Sequence, residues 1–497
     1  MITENSSLRY LFGLKVRELR LQKKLSFQEL AEASGMSISY LSEIEKGKKY
    51  PKGDKIIHLA KALDASYDYL VSLKVPKKIE PVAKLLQSNF IREFPLEMFG
   101  LDSQKIIEMV SQAPEKINAF LSTILQIARN YEMKQEQFYQ AALRSYQEMH
   151  DNYFPELEQE VTDFRRKFQF GRSHVLSLEK LERTLTNDFG VHVDRDKLKQ
   201  YPQLNHLRSF FLPEKKLLLL NSNLALGQEK FLIARELAFQ YLQFRDRPQE
   251  TPPQQASTFE ELLHNYKASY FAAALLMEKK EVIKDIRHFA SMSQWDENVF
   301  LDFLEKYDAT PEMLMQRLTN ILPKYFGIHN LFFLRFLGTD DFSRYELTKE
   351  LHLSRFHNPH ANQLNEHYCR RWISIGIIKK LRSRQKLQNS ARVLTGVQIS
   401  QYHQTPNQYL CIAIAKPNET NPNESISVTI GFLVDAQLRR NINLLKDPRL
   451  NSRTVNTTCE RCAITDCDVR MAPPVFIEEQ QRSESIQQAL KKIREID

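Results

Sequence analysis

The sequence predicts a multidomain, mostly α protein: an N-terminal bundle of five short helices, a helical connector, an α+β middle domain and a C-terminal mixed α/β domain. Three observations carry that expectation. At 497 residues the chain exceeds what one hydrophobic core spans. Glycine is scarce, at 13 residues, while helix formers abound. Strand-like runs occur only from about residue 170 onward. Charge is distributed unevenly. Residues 1–80 hold 15 basic and 10 acidic side chains, more than half of the chain's net +9, which points to a localised phosphate-binding face. No apolar run reaches the roughly 18–20 residues of a membrane helix. The longest is Tyr270–Met277, and the amino end lacks a basic-then-apolar leader, so the expected compartment is the cytoplasm. Five cysteines in so long a chain do not make a disulfide scaffold; clustered thiols in a reducing compartment point to metal or redox chemistry.

The first domain is expected over residues 1–75. Ser26 with Glu29 three positions on is a capping box, which starts a short helix burying Leu30 and Ala31. Gly35 supplies the left-handed exit, and Ser37 caps the next helix, where Leu41 and Ile44 face inward. That helix turns Ser39, Tyr40, Ser42 and Glu43 outward, with Ile38 near its start. Val16, Leu19 and Arg20 lie on a preceding helix; Ile56–Leu63 and Ser66–Leu70 give a fourth and a fifth. This is helix-turn-helix spacing, whose second helix enters the major groove of duplex DNA. The candidate contacts are Ser26, Gln28, Ser37, Ile38, Ser39, Tyr40, Ser42 and Glu43, with Lys46 and Lys48 reaching phosphates beside Lys49. Over residues 8–73 the plan resembles the phage-repressor (XRE) family of DNA-binding domains.

Residues 76–155 read as a helical connector or dimerisation arm, with amphipathic stretches at Ile106–Val110 and Ile117–Tyr131. The middle domain, 156–320, begins with a helix at Ser177–Phe189 and a strand at Leu217–Leu220. A strong helix follows at Gln228–Phe244, then a proline-rich loop at 247–255 and a helix over about 258–277. Lys230–Leu242 and Asn265–Met277 resemble the zinc helix and second helix of the ImmA/IrrE-type metallopeptidase domain. Active members carry His-Glu-x-x-His, two imidazoles one turn apart and a glutamate base. Here those positions are Arg235, Glu236 and Phe239, and the acidic ligand of the second helix falls at Asn265. Arginine stays protonated and phenylalanine has no donor atom, so the expectation is a scaffold without catalysis, its Glu236 in an ion pair. Loss of the histidines is expected to leave a larger, more apolar cleft at Phe239, suited to a ligand.

The C-terminal domain, 321–477, shows strands at 330–336, 409–415 and 425–433, and residues 478–497 form a charged helical tail. Cys459, Cys462 and Cys467 follow Cys-x2-Cys-x4-Cys spacing, three legs of a metal site. Cys369 is the chosen fourth ligand, and Cys411 a core residue. Either a [4Fe–4S] cluster or four-thiolate zinc satisfies such a set.

With Arg470 and Pro473 closing the cysteine segment and Trp372 after Cys369, the chain resembles the short-chain fatty-acyl-responsive transcriptional regulators. These join a repressor-like domain, an ImmA/IrrE-type domain and a C-terminal domain of their own. The resemblance implies an iron–sulfur cluster in some members and an acyl-CoA thioester as effector. The expectation is a homodimeric regulator, not an enzyme, that binds a double-stranded DNA operator away from membranes and senses a metabolite. The alternatives are a DNA-targeted zinc protease and a phage-immunity-type repressor acting through a protein partner.

Overall fold

The computed structural model describes residues 4–72, 135–171, 175–253, 258–339, 344–353, 366–388, 393–419, 421 and 423–494. The chain forms two compact units, residues 1–142 with 255–262, and residues 143–254 with 263–497. The expected connector falls largely outside the described residues, including Ile106–Val110 and Ile117–Tyr131; its described part is α6 (Gln135–Met149) and the start of α7 (Pro155–Lys167).

The amino-terminal head holds the five expected helices, α1 (Glu4–Gln22), α2 (Phe27–Ser34), α3 (Ile38–Glu45), α4 (Gly53–Ala62) and α5 (Tyr67–Val71). Phe12, Val16, Leu30, Leu41, Ile44, Ile56, Leu59, Leu63 and Leu70 make its core. Ala31, expected inside, is only half-buried. The first helix crosses the end of the third so closely that a Cβ on Gly13 would stand 2.2 Å from the Ile44 carbonyl oxygen. Three charged side chains are built into this small core. Lys15 is fully buried and donates to the carbonyls of Tyr69 (2.7 Å) and Ser72, closing the C-terminal end of α5. Arg20 pairs with Glu45 through Nε (2.7 Å) and Nη2 (3.0 Å), tying α1 to the last residue of α3.

In the second unit α8 (Leu178–Phe189) starts at Ser177, whose Oγ accepts from the Lys180 amide, and ends on left-handed Gly190. A small sheet of β1 (His192–Asp194), β2 (Ser209–Leu212), β3 (Leu217–Leu220) and β4 (Glu250–Thr251) follows, in spatial order β1-β3-β2-β4. Helix α9 (Leu226–Tyr241) lies against α8, and α10 (Phe259–Leu276), α11 (Lys279–Ser291), α12 (Asn298–Lys306) and α13 (Pro311–Phe326) complete the helical part. The expected edge at 320/321 falls inside α13. The helix runs on to left-handed Gly327 (φ 64°), and within it fully buried Arg317 grips both oxygens of Glu158 (2.6 and 3.2 Å) and the Met277 carbonyl (3.2 Å). Tyr270 donates to the same carboxylate at 2.9 Å, so α7, α10 and α13 share one buried polar knot.

A six-stranded sheet closes the chain: β5 (Leu331–Thr339), β6 (Tyr345–His352), β7 (Leu394–Tyr402), β8 (Gln408–Pro417), β9 (Glu424–Leu433) and β10 (Ser452–Val455), in order β10-β7-β8-β9-β5-β6. All pairings are antiparallel except β10 with β7. Both faces of β8 and β9 are buried: β8 is an unbroken apolar run from Tyr409 to Ala415, while β9 alternates apolar residues with the small buried Ser425, Ser427 and Thr429. Helix α14 (Ile373–Gln388) covers one face over an aromatic core of Phe332, Phe336, Trp372, Tyr402 and Tyr409; α13 packs against β5 and β9. Short α15 (Ala436–Asn441) lies between β9 and β10 along the chain, and α16 (Val475–Arg494) ends the described chain, running through the expected 477/478 edge. Among the described residues, no helix is long and apolar enough to cross a membrane.

Candidate functional site

The head places a polar helix face in the open by purely local means. The Ser26 amide donates to Glu29 Oε2 at 2.7 Å, the Glu29 amide donates to Ser26 Oγ at 3.2 Å, and the first of these holds the Glu29 carboxyl below its usual value. Gly35 leaves α2 at φ 67°, and Ser37 Oγ then accepts the Tyr40 amide at 3.3 Å to begin α3. Gln28, Ser37, Ile38, Ser39, Lys46 and Lys48 are exposed, as expected from their spacing, and so is Lys49. Ser42 and Glu43 are half-buried. Tyr40 is not turned freely outward: it packs on the head core, with the Lys55 ammonium 4.5 Å above its ring. Sequence reading missed the Arg20–Glu45 pair. Its signal was available, because Arg20 stands four residues after buried Val16, on the apolar face of α1.

The zinc-helix positions are occupied differently from the expected open cleft. Glu236, 3% exposed, is held by both guanidinium ends of Arg247, at 2.9 and 2.6 Å, and by Gln240 at 2.7 Å. Arg247 also stacks over Phe239 (3.9 Å) and Phe211 (4.3 Å). Arg235 donates to Asn265 Oδ1 (3.3 Å) and to Thr251 Oγ1; burial and the adjacent Arg247 charge push it down to about 9. The three former ligand positions therefore do converge, Asn265 included. The expectation of a larger, apolar cleft is corrected, since an arginine from the proline-rich loop covers Phe239 and neutralises Glu236. A loop arginine 11 residues downstream has no periodic relation to the helix and gave no sequence signal.

The cysteines come together. Cys369, Cys459, Cys462 and Cys467 line one cavity with Arg370, Arg371 and Arg470, and all four are free thiols, the first three buried. An antiparallel bridge between Tyr368 and Thr458 docks the Cys369 strand on the cysteine loop. Around it the Cys369 amide donates to the Thr457 carbonyl (3.1 Å) and the Cys459 amide to the His367 carbonyl (2.9 Å). Glu366 takes Arg461 (2.8 Å) and Thr458 (2.5 Å), while Glu460 accepts the His367 amide at 2.9 Å. Arg470 gathers the loop, donating to the carbonyls of Cys459 (2.9 Å), Cys462 (3.0 Å), Ala472 (3.3 Å) and Ile464. The Met471 amide points at Cys459 Sγ, 3.4 Å away. Burial pushes the Cys369 thiol up, against hydrogen bonds from the Asn456 and Arg371 amides. Cys411 is a core residue on β8, pushed up to about 12 by burial. Among the described residues no three His, Cys, Asp or Glu side chains stand close enough to hold a metal ion as placed. The donor set itself, four thiols beside three guanidiniums, fits the chemistry of either a [4Fe–4S] cluster or zinc.

Residues 16–70 match the family described as Helix-turn-helix, and residues 186–319 the IrrE N-terminal-like domain. The head is 43% identical over 61 residues to the HTH-type transcriptional repressor RghR of Bacillus subtilis, covering 12% of this chain and 45% of RghR. It is 40% identical over 58 residues to the HTH-type transcriptional regulator Rv0474 of Mycobacterium tuberculosis, covering 12% of this chain and 41% of that protein. With the regulator y4dJ of Sinorhizobium fredii the identity is 37% over 65 residues, 13% of this chain and 84% of y4dJ. The chain thus spans less than half the length of RghR and of Rv0474. A solved Mycobacterium tuberculosis transcriptional regulator matches with TM-score 0.47 and 17% identity over 68% of this chain and 94% of its own. Through its amino-terminal head, the chain belongs to the HTH-type transcriptional regulators.

Proposed function

We propose that the protein is a sequence-specific, homodimeric DNA-binding regulator that answers to a metabolite through its second unit. The observation that supports this reading best is the exposed polar side of α3, begun by the Ser37 cap and anchored at its far end by the Arg20–Glu45 pair. Dimerisation is part of the reading because one such module makes few base contacts, and paired modules read half-sites about a helical turn apart. Ser39 and Glu43 then read base edges, while Lys46 and Lys48 hold phosphates. Fluorescence anisotropy with genomic duplexes at low salt tests it. Replacing Ser39 or Glu43 is expected to change which duplex is preferred; Lys48→Ala is expected to weaken all duplexes alike. Equal effects on all sequences would refute the groove assignment.

Cys369, Cys459, Cys462 and Cys467 would hold a [4Fe–4S] cluster, with zinc as the alternative occupant. A cluster bound there would supply redox sensitivity, and zinc a purely structural cross-link. Arg470 keeps the loop carbonyls turned inward and the thiols toward the cavity; Glu366, Arg461 and Glu460 keep the Cys369 segment docked. The acyl-CoA effector follows from the family resemblance of the cysteine segment. Protein purified anaerobically is expected to be brown, and Cys462→Ser to bleach it; colourless protein with stoichiometric zinc would assign the site to zinc. We place no hydrolysis at α9, because Arg235 and Phe239 cannot ligate zinc and Glu236 is already neutralised by Arg247. Any effector can shift DNA affinity only by its differential affinity for the two states of the protein.

A further inference from the structure

The chain's positive charge is concentrated in two places, and only the first is the head. Residues 366–388 carry seven lysines and arginines against one glutamate, a net +6 beside the +5 of residues 1–80, so the other 394 residues together are net −2. Most of the second excess lies on α14. Its apolar side, Ile375, Ile378 and Leu381, is buried against the sheet. Arg382 turns back to strap the helix down, donating to the Glu424 carbonyl at 2.6 Å. The outward side presents Lys379, Lys380, Ser383 and Lys386 exposed, with Arg384 half-exposed. Among the described residues no ion pair engages Lys380, Arg384 or Lys386. No acidic residue occurs anywhere in α14.

The arrangement discriminates between anions. A small anion is held by groups that converge in a concavity, whereas these cations spread along about 10 Å of helix, seven residues at 1.5 Å each. Membrane insertion needs a free apolar face, and that of α14 is already committed to the sheet. A row of cations on a convex helix matches an extended polyanion with regularly repeated charge, which duplex DNA is. We infer that α14 is a second, sequence-independent DNA-contact surface, laying Lys379, Lys380, Arg384 and Lys386 on backbone phosphates. The inference rests on the DNA-binding reading of the head and adds a separate surface to it.

The test uses the full chain and a labelled 40-base-pair duplex containing its preferred site, with affinity followed from about 50 to 300 mM KCl. Each phosphate contact contributes about 0.9 to the slope of log affinity against log salt. Replacing Lys379, Lys380, Arg384 and Lys386 with alanine is expected to make that slope shallower by about 3.6 per protomer bound, at about 0.9 for each of four contacts, and to weaken binding at least tenfold at 150 mM. The preference between the site and a scrambled duplex should stay unchanged. The triple variant Lys379→Arg, Lys380→Arg, Lys386→Arg should retain the wild-type slope. Equal slopes for wild type and the alanine variant overturn the inference, as does loss of slope in the arginine variant. Wild-type protein that binds no duplex even at 50 mM removes the head reading as well, a different and recognisable failure. Binding to phosphatidylserine vesicles that disappears in the alanine variant, with DNA slopes unchanged, would give the surface to anionic lipid and overturn it too.

Discussion

Glu45→Gln is the sharpest perturbation of the head, because it removes a charge without removing bulk. Arg20 and Glu45 are side chains only 10% and 5% exposed, joined by two hydrogen bonds of 2.7 and 3.0 Å. Arg20 keeps the Leu25 carbonyl at 3.0 Å and the Phe27 ring at 4.2 Å after the substitution, but its charge is left without a counterion. Breaking a buried pair from one side costs about 3–5 kcal/mol. A domain of about 70 residues has a stability of only roughly 4–10 kcal/mol, at about 0.05–0.15 kcal/mol per residue. The loss is therefore a large fraction of the head's stability. Hydrogen exchange measured by mass spectrometry on the full chain reads it directly, since amides in α1 and α3 open with the head. Exchange there should accelerate by about two to three and a half orders of magnitude, at tenfold per 1.4 kcal/mol. Replacing both partners by apolar residues, Arg20→Met with Glu45→Leu, should bring stability back to within about 1 kcal/mol of wild type or above it. If Glu45→Gln leaves exchange in α3 within threefold of wild type, the reasoning about a buried, anchoring ion pair is refuted.

Three other outcomes are expected. Gly13→Ala forces a Cβ to 2.2 Å from the Ile44 carbonyl, so the head should lose about 1–3 kcal/mol and duplex affinity with it, read by exchange and anisotropy. Burial alone would raise the Glu158 carboxyl, but Arg317 and Tyr270 hold it below its ordinary value. Its folded value being depressed, the stabilisation is complete above the ordinary glutamate range near pH ~4.3 and is lost as pH falls through the folded value, so acid melts should show a steep decline that Glu158→Gln flattens. Restoring three ligands, Arg235→His, Phe239→His and Asn265→Asp, should add no zinc over the wild-type content by metal analysis until Arg247→Ala is added, because the Arg247 guanidinium remains in the site beside Glu236.

What was legible in the sequence was what is local. Ser26 with Glu29, Gly35 and Ser37 act over three or four residues, and a capping box or a left-handed exit leaves its mark at that spacing. Cys459, Cys462 and Cys467 were legible for the same reason. What escaped was set by contacts far along the chain. Strand β10 pairs with β7 some fifty residues earlier, and in parallel, so neither carries a hairpin signal. Helix α14 hides its register because Ile373 to Ile378 is apolar nearly all round and its second half is charged nearly all round. Cys369 was reached only by setting Cys411 aside as a core residue; the physical reason it belongs is the Tyr368–Thr458 bridge, which spans ninety residues. Arg317 is a charge inside an apolar helix face whose partner, Glu158, lies 159 residues away.

The two places where a metal could be sought differ in how their charges close. At α9 the only carboxylate of the former site is matched by Arg247, and Arg235 is satisfied by neutral oxygens of Thr251 and Asn265. A dication added there would meet two guanidiniums and no free anion. At the cysteine cavity the balance is reversed: Arg370, Arg371 and Arg470 stand beside thiols whose ionisation would supply the missing negative charge. Four thiolates around a dication leave a net −2, which three guanidiniums offset without any carboxylate in the lining, and a cubane cluster in its 2+ state leaves the same charge. An ion bound at the cysteines would therefore relieve electrostatic cost, and one at α9 would add to it. Cys369, which lines the cavity, also belongs to the aromatic core beneath α14, where it packs with Phe336, Trp372 and Tyr402. A change of occupant at the thiols would thus be felt first by the packing that sets how α14 lies on its sheet. Under the proposed reading it is therefore the cysteine site, and not the peptidase-like helix, where a bound occupant would alter this unit.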